Sequence, residues 1–494
     1  MTAATVEDRG PGRAWVAGAA RLMRIELRRN AMIWMLPVAG VLFWALTYRR
    51  SMALAPLWNV RAMTMQSTTI AVFIPTVTGV AAWTGTREAR RRLTDLLSVT
   101  SRSRWRRQLA SWAATTAWAL GCYLACVGVL YGVTATQATG SGPPWWPVLV
   151  GAASVPALAA LGFTAGTVLP SRYTPPLVAM GAFLMFEAGL ELVHGAGSPW
   201  QISPLVTGPY QLGDYEGLAT FYPYLPDLPI AQVIFLVGLT LALLGILGLP
   251  SLAGGRWPRL VAAALTVTGV LSAATATALA GTGRLDPHGM IAIPALHNAA
   301  DDRPVAYTPV CSHTAIPVCL HPAYRAYLGA VSTDLAPLLD ELAGVPGAPA
   351  RIAQTTTTYR WTDDGIDIAT SAWTMHGTPP VYTIVLPNQA GEPALSVDQS
   401  ANRVKGRIAR DLVTAVVGGG SDPAQQAVTA GVLKGVRPVL GSEPPDLGRR
   451  ITPNTPAAVA AQRFAALPVG TRHAWLVVHA ADLKAGRITL DQLP

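Results

Sequence analysis

The sequence predicts an α-helical polytopic membrane protein of about seven spans, with its N-terminus inside the cell and an α+β domain outside it at the C-terminus. Of the 494 residues, 51% are hydrophobic and only 13% are charged, a composition typical of membrane proteins. The net charge of +10 belongs to one half of the chain, because residues 1–281 carry 20 arginines and 10 acids, whereas residues 282–494 carry 17 residues of each sign. The chain therefore divides into an apolar, basic half (1–281) and a balanced domain (282–494).

Seven apolar segments approach the ~20 residues that cross the hydrocarbon layer. The predicted spans are 31–47, 65–83, 109–133, 147–169, 175–193, 229–249 and 260–281. The first begins behind several arginines and lacks the small-residue cleavage site of a signal peptide. All seven are therefore predicted to stay in the membrane.

The arginines predict the orientation, because cytoplasmic loops carry the excess of positive charge. With the N-terminus inside, 17 arginines fall on the inner side, and the outer short loops hold only three, namely Arg49, Arg50 and Arg61. An odd number of spans then places residues 282–494 outside the plasma membrane. Arginines that lie between apolar segments do not form the exposed basic face that nucleic acid requires, so we expect the lipid bilayer as a partner and no nucleic acid.

Residues 14–29 carry Arg21, Arg24 and Arg28 at helical spacing ahead of the first span. This pattern fits a helix on the inner membrane surface, and it equally fits a plain cytoplasmic lead-in. In the fourth span, Gly162 and Gly166 form a GxxxG motif that favours close approach of two helices.

The C-terminal domain has strand patterns at 351–361, 365–375 and 380–387, followed by helical patterns at 404–419, 422–436, 457–467 and 472–486. Cys311 and Cys319 precede them, and thiols outside the cell usually oxidise, so a disulfide is predicted. The nearby His313 and His321 raise the alternative of zinc, but their spacing fits no common finger and four ligands would be crowded. No metal site is predicted.

Glu187, Glu191 and His194 share one helix face near the outer end of the fifth predicted span. Ionisable groups at membrane depth are costly, and they are by default candidates for a substrate path or a proton site. The alternative is that they already lie at the wet interface beside the loop that follows.

No catalytic motif is present. The sequence lacks the G-x-x-x-x-G-K-[ST] phosphate loop, the H-E-x-x-H zinc motif and the G-x-S-x-G elbow. We therefore expect no enzyme activity and no cofactor. Any transport work would need energy from another subunit.

The segment 87–108 holds eight arginines between the second and third predicted spans. Leu93, Leu96 and Leu97 recur at i, i+3 and i+4 within it, which makes an apolar stripe on a charged helix. Two interpretations follow. The arginines are only a topology signal, or the stripe docks into a groove on a partner.

The stretch "REARRRLTDLLSVTSRSRWRRQLASW" resembles the cytoplasmic loop between the second and third spans of type-2 ABC transporter permeases. The matching positions are Glu88, the pair Leu96 and Leu97, Ser98, and the turn Ser101 and Arg102. In that family the loop carries the coupling helix, which docks on the ATP-binding subunit. The resemblance covers roughly residues 14 to 250, and the C-terminal tail looks like that of actinobacterial permease-like proteins of unassigned role.

This resemblance implies a non-catalytic permease subunit of an ABC exporter, which works as a homodimer or with a second permease and is energised by a separate ATP-binding subunit. Two other classes stay open. One is a membrane-anchored receptor or immunity protein whose outer domain binds a ligand without transport, and the other is a membrane enzyme with an unrecognised outer site.

Overall fold

A computed structural model describes most of the chain. The described residues are 11–53, 56–91, 104–139, 142–191, 220–249, 256–356, 358–362, 365–370, 374–386, 397–436 and 455–494. They form a helical half up to Gly281 and a mixed C-terminal domain after it.

Long apolar runs make the helical half. Its described helices are α1 (Pro11–Arg28), α2 (Met32–Phe43), α3 (Arg49–Ala53), α4 (Trp58–Thr68), α5 (Ile74–Gly85), α6 (Arg87–Arg90), α7 (Arg104–Gln137), α8 (Trp146–Val168), α9 (Thr174–Glu191), α10 (Asp227–Gly248) and α11 (Arg256–Gly281). Single π-helical turns, Trp44–Tyr48 and Thr69–Phe73, join α2 to α3 and α4 to α5. Each of these pairs is therefore one continuous rod.

Six helices within the described ranges are long and apolar enough to cross a membrane. They are Met32–Met52, Trp58–Gly85, Arg104–Gln137, Trp146–Val168, Asp227–Gly248 and Trp257–Gly281. They correspond to six of the seven predicted spans. The remaining one, 175–193, falls on α9, whose apolar described part, Thr174–Phe186, is shorter than these six.

Glycines let the apolar helices touch backbone to backbone. A Cβ atom placed on Gly162 would lie 2.2 Å from the carbonyl oxygen of Thr78, and one on Gly166 would lie 2.2 Å from that of Ala82. The GxxxG motif therefore packs α8 against α5, as the sequence predicts. A Cβ atom on Gly269 of α11 would lie 2.3 Å from the amide nitrogen of Ala242 in α10.

The C-terminal domain combines short strands with helices. Its strands are β1 (Arg284–Leu285), β2 (Ile291–Ala292), β3 (Val310–Cys311), β4 (Val318–Leu320), β5 (Arg351–Gln354), β6 (Thr358–Thr362), β7 (Gly365–Thr370), β8 (Thr374–His376) and β9 (Val381–Ile384). Its helices are α12 (Arg325–Leu342), α13 (Val397–Val417), α14 (Pro423–Val436), α15 (Pro456–Ala466) and α16 (Val469–Lys484).

The main sheet has the strand order β3-β4-β5-β9-β8, with β4, β5 and β9 parallel to one another and antiparallel strands at both edges. Cys311 faces Cys319 across β3 and β4, and the two form a disulfide. This confirms the predicted pairing and leaves neither thiol for the zinc alternative. The runs predicted as strands after residue 350 contain strands, but 351–361 is divided between β5 and β6 and 365–375 between β7 and β8, and β6 and β7 form a separate two-stranded sheet. The four helices predicted after them are present.

One hydrophobic core joins the C-terminal domain to the helical half. Ile352 and Ile384 of the sheet pack with Leu335 of α12, and the same cluster contains Leu57, Val60 and Phe221 from the helical half. Thr139, just after α7, also donates a 2.7 Å hydrogen bond to the carbonyl of Pro322. We call this side of the bundle the domain end, and the opposite side, which carries Arg28, Arg90, Arg104 and Arg172, the arginine-rich end.

Candidate functional site

The predicted coupling loop begins and ends at the arginine-rich end. Glu88 in α6 lies 3.5 Å from Arg104 and 3.6 Å from Arg107, both in the first turn of α7. It therefore holds together the two ends of the segment that connects α6 to α7. The other predicted coupling residues lie outside the described residues, and they are Leu93, Leu96, Leu97, Ser98, Ser101 and Arg102.

The helix before the first span is attached to the same loop. Arg87 donates hydrogen bonds of 2.9 Å and 3.0 Å to the two carboxylate oxygens of Glu26 in α1, and one of 3.3 Å to the hydroxyl of Ser111 in α7. Trp118 of α7 also donates a 2.9 Å hydrogen bond from Nε1 to the carbonyl of Leu27. Helices α1, α6 and α7 are therefore connected by charged and neutral hydrogen bonds.

Aromatic rings support other arginines at this end. The guanidinium of Arg90 lies 3.5 Å from the ring centroid of Trp83, and that of Arg172 lies 4.8 Å from the ring centroid of Tyr173. Aromatic side chains beside basic ones are typical of the headgroup level of a membrane. The arrangement fits an interface where α5 ends and α9 begins.

The structure describes little of the predicted intramembrane polar set of Glu187, Glu191 and His194. The backbone of α9 continues through Glu187 and Glu191, but the side chains of both residues lie outside the described part, as does the whole of His194. The choice between a functional site and a wet interface therefore stays a prediction.

The sequence interpretation placed Arg61 in an outer loop, and this was wrong. Arg61 lies in the second turn of α4 and is 1% exposed. Asn59 and Gln66 on the same helix and Gln232 on α10 are also buried. The error arose because the second predicted span began at Met65, although α4 begins at Trp58 and carries its polar residues into the bundle.

A second group of ionisable side chains lies at the domain end, where α10 begins. Asp227 is fully buried and accepts a 2.8 Å hydrogen bond from the backbone amide of Ile293. Its carboxylate also lies 3.4 Å from Nδ1 of His297. Nε2 of the same imidazole lies 3.1 Å from a carboxylate oxygen of Asp302. His297 therefore lies between two carboxylates, one of which belongs to α10, a helix long and apolar enough to cross a membrane.

Further contacts bind the same two segments. Asp286 accepts hydrogen bonds from the amides of Met290 (2.6 Å) and His288 (3.1 Å). The amide of Leu225 donates to the sulfur of Met290 (3.1 Å), and the ring of Tyr222 stacks on that of His288 at 3.4 Å between centroids. The segment 220–227 is thus fastened to the segment 284–302 that leaves α11.

Burial and charge shift the titration of this group. Desolvation by burial raises the pKa of Asp286 to about 6, and it lowers the pKa of His288. The pKa of His297 is raised, mainly by its hydrogen bond to Asp302 and also by the charge of Asp227. The histidine is therefore stabilised in its charged form.

The sequence did not predict the contact between Asp227 and the segment that contains Ile293 and His297. The signal available was a carboxylate at the first position of an apolar helix, Asp227, since such a group is costly unless it has a partner. The sequence does not reveal that the partner lies 66 residues later.

No protein-family model, curated protein or solved structure matches this chain.

Proposed function

We propose that the protein is a non-catalytic permease subunit of an ABC-type exporter, driven by a separate ATP-binding subunit that docks on the loop between α6 and α7. The supporting observation is the pairing of Glu88 with Arg104 and Arg107. It closes the base of the loop that carries Leu96 and Leu97, because Glu88 lies at the start of that loop and Arg104 and Arg107 lie at its end.

The contacts of Arg87 and Glu88 also support transmission of force from the loop to the helices. The loop follows α5 through α6 and leads directly into α7, and Arg87 at its start is bound to Glu26 of α1. A partner that pulls on the loop therefore acts on α1, α5 and α7 together. The permease is proposed to work as a homodimer or with a second permease subunit.

The orientation is part of this proposal. We place the arginine-rich end in the cytoplasm and the C-terminal domain outside the cell, because arginine outnumbers acid only in the helical half. The disulfide Cys311–Cys319 suits an oxidising compartment. A membrane-impermeant protease added to intact cells should remove the C-terminal domain, and full protection of the domain would reverse the orientation.

The loop is tested by two matched double variants. Leu96→Asp with Leu97→Asp should insert normally and yet lose the co-purifying ATPase from native membranes, because the buried centre of an interface carries most of its binding energy. Thr94→Asp with Thr100→Asp adds the same two charges to the loop and keeps the leucines, so it should retain most of the ATPase. Equal ATPase yield from wild type and the leucine variant would refute the docking role.

A receptor function without transport is the second candidate. It is favoured by the shared core, since Leu57, Val60 and Phe221 would carry a change in the C-terminal domain directly to the membrane helices. This candidate predicts that the wild-type protein purifies without an ATPase.

A further inference from the structure

The connection between α11 and the C-terminal domain passes beside the beginning of α10. It contains the hairpin of β1 and β2 and the turns up to Asp302. Ile291 and Ile293 of this connection form a small buried cluster with Leu228, Ala231 and Ala280 of the two membrane helices. Apolar contacts therefore hold the connection in place, and the charged group around His297 lies directly beside them.

Asp227 and His297 are the charged contact between α10 and this connection. Asp227 has two neighbours from the connection, the amide of Ile293 at 2.8 Å and the imidazole of His297 at 3.4 Å. The 3.4 Å contact is an ion-pair distance, and the attraction between opposite charges is stronger where water is excluded than in bulk water. The strength of the contact therefore depends on whether His297 carries a proton.

We propose that His297, held between Asp227 and Asp302, is a proton-operated latch that fastens the C-terminal domain to α10 and tightens as the surrounding solution becomes more acidic. The latch does not involve the arginine-rich end. Its failure would therefore leave the proposed docking of an ATPase untouched.

The direction of the pH response follows from the groups around the imidazole. These are Asp227 at the start of α10, Asp286 and His288 in the hairpin, and Asp301 and Asp302 in the turn after His297. The carboxylates raise the pKa of His297 above the ordinary value of about 6.5. The stabilisation is thus complete below about 6.5 and is lost as the pH rises through the higher value of the folded protein.

Two neighbours modify the response at lower pH. Asp286, with a pKa of about 6, loses an unfavourable buried charge as the pH falls through that value, which also favours the closed connection. His288, with its lowered pKa, acts in the opposite direction below about 6.5. The range between about pH 8.5 and about pH 6.5 therefore isolates His297 best.

Hydrogen exchange of the Ile293 amide measures the latch directly, because this amide is bonded to Asp227. The full chain in lipid nanodiscs is compared at about pH 8.5 and about pH 6.5 by mass spectrometry, with rates corrected for intrinsic exchange. We expect about fivefold greater protection at the lower pH, which is the upper end of what one partly exposed ion pair contributes. His297→Gln, which keeps a side-chain donor and cannot titrate, should show equal protection at both values.

Two carboxylate variants separate the latch from its neighbours. Asp302→Asn alters a half-exposed side chain, and it should move the midpoint of protection to lower pH because it removes the charge beside Nε2 of His297. Asp286→Asn should keep the wild-type response in this range. The latch is refuted if protection of the Ile293 amide in the wild type does not depend on pH, or if His297→Gln keeps the pH dependence. It is also refuted if Asp302→Asn leaves the midpoint of protection unchanged, or if Asp286→Asn abolishes the pH dependence.

Discussion

At the arginine-rich end the membrane helices are joined by ion pairs close to the surface, whereas at the domain end they share a hydrophobic core with the C-terminal domain. Arg104 beside Glu88 keeps 45% of its side chain exposed, but Phe221 at the other end is 6% exposed. Exposed ion pairs contribute little free energy and can rearrange. Buried apolar contacts contribute several times more, and they persist.

This difference suggests what each end can do. A surface held by partly exposed pairs can open or re-form when a partner docks, at a small cost in free energy. A shared core makes the C-terminal domain follow any movement of α4 and of the segment before α10. The loop after α6 is therefore the proposed docking element, and the shared core fixes the C-terminal domain to the bundle.

Phe221→Ala should have the largest effect, because it removes a ring that packs against His321 and Tyr324 inside the shared core. Truncation of a buried Phe typically costs about 3–5 kcal/mol. We expect the C-terminal domain of the full chain to lose protease resistance at a lower denaturant concentration. Tyr173→Ala, an exposed aromatic at the arginine-rich end, is the control and should change little. Equal effects of the two would mean that the core is not shared.

Gly166→Ala should have the second largest effect on stability. Its Cβ atom would lie 2.2 Å from the carbonyl oxygen of Ala82 and would push α8 away from α5. Overpacking of this kind costs about 1–3 kcal/mol. The midpoint of thermal unfolding in detergent reports the loss. Gly121→Ala on α7, where the added methyl meets nothing within 4 Å, serves as the control. A variant at Gly166 as stable as that control would contradict the close packing.

Glu88→Gln should have the smallest effect on stability, below about 1 kcal/mol, since the pairs it loses are partly exposed. The substitution should instead change the loop between α6 and α7, because the ion pairs that hold the two ends of the loop together would be lost. Protease cleavage between α6 and α7 should become faster, while unfolding of the bundle stays at the wild-type temperature. Unchanged cleavage would show that Glu88 does not hold the loop.

Hydropathy and spacing could predict the elements with strong local signals. The apolar runs predicted seven spans, of which six correspond to helices of spanning length in the described part of the chain, and β-branched runs predicted the strands after residue 350. The prediction of the Cys311–Cys319 disulfide needed only two thiols close together in the sequence and an expected location outside the cell. The GxxxG motif of Gly162 and Gly166 also indicated close approach of two helices, but it did not indicate that the partner would be α5.

Contacts between distant segments could not be predicted in this way. Helix α12 was not predicted, although Val331, Leu335 and Leu338 within it have helical spacing. The junction of Asp227 with His297 depends on the return of the chain to α10 after α11. A single sequence carries no signal for such a return, so the carboxylate at the start of α10 could not be matched with His297.

The most direct test of the central claim is a photo-crosslinking amino acid placed at Leu96 in the full chain, in its native membrane. If an ATPase docks on this loop, ultraviolet light should produce an adduct with a protein that carries a phosphate-binding loop, identified by mass spectrometry. The same probe at Val478 on the C-terminal domain, an exposed apolar position, should give no such adduct. Lipid adducts alone at position 96, or an ATPase adduct at position 478, would contradict the account.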